Sequence, residues 1–127
     1  MATTIRDFVW VLTAFLGGTA PSFADDPVDQ AGVRRALIVC GHPGDAEHRA
    51  MYDAALPWMW RGLTTELGFD PSAITVLDGI DEERPSTLTI PVAGPATRER
   101  LTQAVEALRQ ALRPEDTLWV IVVGHAH

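Results

Sequence analysis

The sequence predicts an α/β domain built on a parallel sheet. Three observations predict it. Short apolar runs lack the in-out alternation of a half-exposed strand. Two longer stretches carry helical periodicity. The order along the chain is strand, helix, strand, helix, strand, with no internal repeat, the pattern of βαβ units joined by right-handed crossovers.

The elements follow in order. Met1 to Asp26 reads MATTIRDFVWVLTAFLGGTAPSFADD, with Arg6 ahead of an apolar run from Phe8 to Ala20. Ser22-Phe23-Ala24 fits a small-x-small cleavage site, so residues 1–24 read as a secretory signal peptide. The run is too short to span a bilayer comfortably, and no stable membrane span is expected after cleavage. An uncleaved membrane anchor is the competing reading of the same residues. Residues 25–34 read as a flexible mature N-terminus, polar from Asp25 to Gly32 and carrying Pro27. Residues 35–127 are expected to form the domain.

Arg35 to Gly41, RALIVCG, is the first predicted strand. Asp45 to Leu67 is the first predicted helix, with Tyr52, Ala55, Met59, Leu63 and Leu67 on one stripe. Asp45 is its expected N-cap and Gly68 its stop. Pro57 is expected to kink or split it. Trp58 and Trp60 read as core or groove-facing aromatics. Ile74 to Gly79 is the second strand. A long connection with Pro85, Pro91 and Pro95 runs from Ile80 to Pro95, and its TLTI reads as a small edge strand. Thr97 to Arg113 is the second helix, capped by Thr97, striped by Leu101, Ala104, Val105, Leu108 and Leu112, and ended by Pro114. Thr117 to Gly124 is the third strand.

Charge and cysteine content narrow the function. A formal net charge of −7, with ten arginines and no lysine, argues against nucleic acid as a partner. The single cysteine, Cys40, excludes an internal disulfide framework and reads as a buried, inert thiol inside the first strand.

Open parallel sheets place their chemistry at the carboxyl ends of the strands. Three places are therefore favoured: Gly41 to Glu47, Asp78 to Glu83, and Gly124 to His127. GHPGDAEH, Gly41 to His48, holds His42 and Asp45 three apart, with Glu47 and His48 nearby. It reads either as a polar turn capping the first helix or as a metal site using His42 and Asp45. The stretch partly resembles the zinc-dependent N-acetylglucosaminyl deacetylases. His42, Pro43 and Asp45 match that family's turn, whereas Gly44 stands in place of its general base and Ala46 in place of its Glu.

The C-terminal half carries a broader likeness. GPATRERLTQAVEALRQALRPEDTLWVIVVGHAH, together with RALIVCGHPGDAEHRAMYDAA and LGFDPSAITVLDG, resembles the caspase- and legumain-like cysteine peptidases from Arg35 to His127. The resemblance implies a three-layer, Rossmann-like parallel-sheet fold, seen here only as far as the third strand. It implies that His125 is the histidine of a Cys-His dyad, that the backbone N–H of Ala126 helps form an oxyanion hole, and that Arg49 lines a substrate pocket for acidic residues. A solvent-facing helix arginine is the alternative for Arg49. The family's nucleophile follows a fourth strand, so Cys40 does not match it. The resulting expectation is the N-terminal portion of an exported endopeptidase, acting on peptide or protein substrate once completed, needing no cofactor and inactive alone. A zinc hydrolase and a non-catalytic exported α/β binding domain remain the alternatives.

Overall fold

The computed structural model describes residues 10–12, 32–79 and 88–124. Four strands run parallel, β2 (Arg34–Cys40), β3 (Ile74–Asp78), β4 (Gly94–Pro95) and β5 (Thr117–Val123), in the order β5-β2-β3-β4. Helix α1 (Ala46–Arg61) joins β2 to β3, and α2 (Arg98–Ala111) precedes β5. The α/β fold with a parallel sheet is thus the one expected. A fifth strand, β1 (Trp10–Leu12), lies antiparallel to β5 at the sheet edge. It comes from the stretch read as a signal peptide; the rest of residues 1–24, and residues 25–31, lie outside the described residues.

The face of the sheet turned to α1 holds the core. Ala36, Ile38 and Cys40 of β2, Ile74 and Val76 of β3, and Ile121 and Val123 of β5 pack against Tyr52 and Leu56 of α1, with Leu63 and Phe69 beyond its end. Each large aliphatic side chain in this layer contributes about 2 kcal/mol by leaving water. Phe69 meets Trp119 edge-on at 5.5 Å between centroids. Leu56 of α1 is fully buried in this core, although it falls off the stripe predicted for that helix.

Asp45 caps α1 as expected, its side chain accepting from the His48 amide at 2.9 Å. Pro57 does not split the helix. The chain passes through it to Arg61 and then widens into a π-helical turn, Gly62–Glu66. The Thr64 and Thr65 hydroxyls donate to the carbonyls of Trp60 and Arg61 there, satisfying oxygens around the wide turn. Gly68, at φ 66°, ends the segment. Of the two tryptophans, Trp60 packs on the core edge, whereas Trp58 is exposed.

Thr97 caps α2, and Glu106 holds Arg109 and Gln110 on its outer face. The predicted stripe of α2, however, is not buried. Leu101 and Val105 are exposed, and a groove of about 340 Å³ separates Ala104 and Leu108 from Arg35, Thr75 and Leu77 of the sheet. The small edge strand read at TLTI falls instead at Gly94–Pro95, where the Ala93 and Ala96 amides donate to Val76 and Asp78. At the opposite end of the sheet, Asp116 ties β2 to β5. Its carboxylate accepts from the amides of Val33 at 2.7 Å and Arg113 at 3.1 Å. The Arg113 N–H first, then that of Val33 and the charges of Arg113 and Arg35, hold its pKa below the usual carboxylate value against the opposing effect of burial.

Candidate functional site

Connections on the two sides of β2 run in opposite senses. From β2 the chain goes to β3 on one side, and later reaches β5 on the other. Open α/β sheets bind ligands outside the carboxyl ends of the strands at such a reversal. Three ends meet here: Cys40-Gly41, Asp78-Gly79 and Val123-Gly124. The Gly41 amide donates to the Val123 carbonyl at 2.8 Å, extending the β2–β5 ladder to the rim. Gly79 sits so close to Gly41 and His42 that a Cβ there would overlap their backbone.

The Gly41–Asp45 turn is held by its own side chains. The Gly44 amide, with φ at 79°, donates to His42 Nδ1 at 3.0 Å. Both carboxylate oxygens of Asp45 lie 2.8 Å from His48 Nδ1. The His48 amide, and then its ring, lower the Asp45 pKa. His42 and Asp45 therefore spend ligand-capable atoms on the local turn. The described residues contain no group of three or more His, Cys, Asp or Glu side chains placed to hold a metal ion.

Arg49, one turn into α1, folds inward rather than facing solvent. Its Nη1 donates to Asp78 Oδ1 at 3.1 Å, and Nη2 pairs with Asp53 Oδ1 at 2.5 Å. Burial acts against the guanidinium charge, but the hydrogen bonds with Asp78 and Asp53 outweigh it and raise the pKa above the ordinary arginine value. Two carboxylates on one guanidinium leave a negative charge in excess. An acidic ligand would have to displace one of them. Asp78 is fully buried, and its Oδ2 has no hydrogen-bond partner among the described residues. The i, i+4 spacing of Arg49 and Asp53 was visible in the sequence. The pairing with Asp78 needs the α1 crossover.

Cys40 lies behind this cluster. Burial, and then the Asp78 charge, push its pKa up to about 12. The thiolate is the reactive form, so this thiol is inert at neutral pH. In the native chain Cys40 is expected to leave a disulfide reagent unreacted at mildly alkaline pH, and to react fully in denaturant. Rapid labelling of folded protein would contradict the burial. Among the described residues, the rim thus offers an acid, a neutralised arginine and turn histidines, but no activated nucleophile.

His125, Ala126 and His127 lie outside the described residues. So do Ile80 to Glu83 of the Asp78–Glu83 region. No helix among the described residues is long and apolar enough to cross a membrane. No family model, no curated protein and no solved structure matches the chain.

Proposed function

We propose that the chain is the N-terminal portion of an exported caspase- and legumain-like cysteine endopeptidase. It would contribute His125 to a Cys-His dyad whose nucleophile lies outside these 127 residues. The observation that carries the reading is the strand order. The carboxyl end of β5 lies beside that of β2, at the reversal point where open α/β sheets bind ligands, and His125 follows Gly124 directly in the sequence. In this assignment His125 takes the proton of the incoming thiol and returns it to the leaving amine. The Ala126 N–H stabilises the oxyanion. The only cysteine in the chain, Cys40, is buried, with its pKa pushed up by burial and the Asp78 charge, which supports placing the nucleophile elsewhere. Arg49, already paired twice, is poorly suited to recognise an acidic substrate side chain. The leader reading of residues 1–24 supplies the export step.

Purified chain is expected to show no thiol-dependent cleavage of peptides with Asp, Asn or Arg at the scissile bond. Robust cleavage would sink the assignment of the nucleophile to another segment. Reading the coding frame beyond the codon for His127 tests the assignment of His125. A following apolar strand that ends on small residues around a cysteine supports the dyad. A following sequence with no such strand removes the peptidase reading, and zinc titration against His42→Ala then becomes the informative experiment.

A further inference from the structure

The two edges of the sheet are unequal. One edge is β4, only Gly94–Pro95, and Pro95 has no N–H to offer a neighbour. The other side ends on β5, TLWVIVV, seven residues with no charge and no proline. Its inner side is paired with β2 along its whole length. Among the described residues its outer side is covered only by β1, in the register Trp10↔Val122, Val11↔Ile121, Leu12↔Val120. Nothing within β5 blunts that edge, and Val122 is 43 % exposed on it.

We propose that the β5 edge is a self-association surface that β1 keeps closed, and that once β1 leaves, a second copy of this chain pairs β5 against β5. The existing β1 ladder shows that the edge accepts an antiparallel strand centred on Ile121. Two β5 strands centred on Ile121 pair Val120 of each copy with Val122 of the other. That contact is two-fold symmetric, so it closes. No charges oppose one another across it. Because the β4 edge is too short and carries proline, growth stops at a dimer. If residues 1–24 are removed as a leader, β1 goes with them and the exported form is the one that pairs. The edge proposal itself does not depend on export or on a peptidase function.

The test uses the full chain. Along a strand, successive N–H groups point to opposite sides, so Val11→Pro with Leu12→Pro removes at least one ladder donor whichever way β1 faces. Sedimentation over a range of concentrations is expected to give a monomer for the unaltered chain and a mass twofold higher for the double-proline variant. Adding Val122→Lys places an ammonium group on each β5 edge and is expected to restore the monomer. A double-proline variant that stays monomeric with native circular dichroism overturns the proposal. So does a dimer indifferent to Val122→Lys, or an unaltered chain that already dimerises. Should the prolines prevent folding, amide exchange in the unaltered chain decides. Protection of Val120, Ile121 and Val122 together is expected, because β5 is bonded on both sides. Fast exchange at alternate residues overturns the cover by β1.

Discussion

Replacing Arg49 with leucine is expected to destabilise the fold by about 3 kcal/mol, the scale for removing one partner of a buried ion pair. The reason is Asp78. Its side chain is 1 % exposed, and Arg49 Nη1 donates to its Oδ1 at 3.1 Å. Leucine adds apolar area at that position but leaves a carboxylate in the interior with no counter-charge. The reverse change is milder. Asp78→Asn keeps the shape and an acceptor oxygen, and Arg49 retains Asp53 and partial access to solvent. Its cost is expected to be about 1 kcal/mol, that of a weakened hydrogen bond. The ordering is the informative part: Arg49→Leu well above Asp78→Asn, read as shifts in urea midpoint at constant slope. Arg49→Leu combined with Asp78→Leu is expected to recover most of the loss, since it empties the interior of charge. Equal costs for the two single variants would mean that Arg49 is held by Asp53 and solvent rather than by Asp78.

That cluster also marks where the sequence stops being readable. The parallel sheet was legible because RALIVC, ITVLD and LWVIVV are short apolar runs without alternation, separated by two helical stretches. The helix starts at Asp45 and Thr97 were legible because a cap is a local hydrogen bond. Three features were not. β4 is two residues long and carries no pattern. β1 lies in an apolar run, and apolarity serves a leader and a strand equally well. Asp78 is 29 residues from Arg49 in sequence, so their pairing exists only once α1 has crossed the sheet. The α2 stripe illustrates the opposite error. Periodicity identified a face able to be buried, and the structure leaves Leu101 and Val105 of that face exposed. At the strand ends, the placement of Gly41, Asp78 and Gly124 on one rim was legible from the order of the elements. What those residues bond to was not.

Gly79→Ala is expected to be as damaging as the loss of Arg49, and for an unrelated reason. A methyl group at Gly79 would overlap the carbonyl of Gly41 and the amide nitrogen of His42. Both are backbone, and Gly41 is fixed by its hydrogen bond to Val123. There is no flexible side chain to swing aside, so the ends of β2 and β3 must move apart. Overpacking costs typically 1–3 kcal/mol, and a clash against two backbone units belongs at the upper end, about 3 kcal/mol. Gly62→Ala is the matched control. Gly62 has helical φ and ψ and nothing within 4 Å of an added Cβ. There the same methyl group reduces the freedom of the unfolded chain, and a gain of about 0.5 kcal/mol is expected. Opposite signs for one chemical change separate steric closure of the strand ends from any general effect of glycine. Gly79→Ala is also expected to speed labelling of Cys40, because Cys40 is buried and directly precedes the displaced Gly41. Loss of stability without faster labelling would mean that the strain is relieved on the β3 side. The Gly41–His42 turn would then be held by Val123 and the α1 cap rather than by its contact with Gly79.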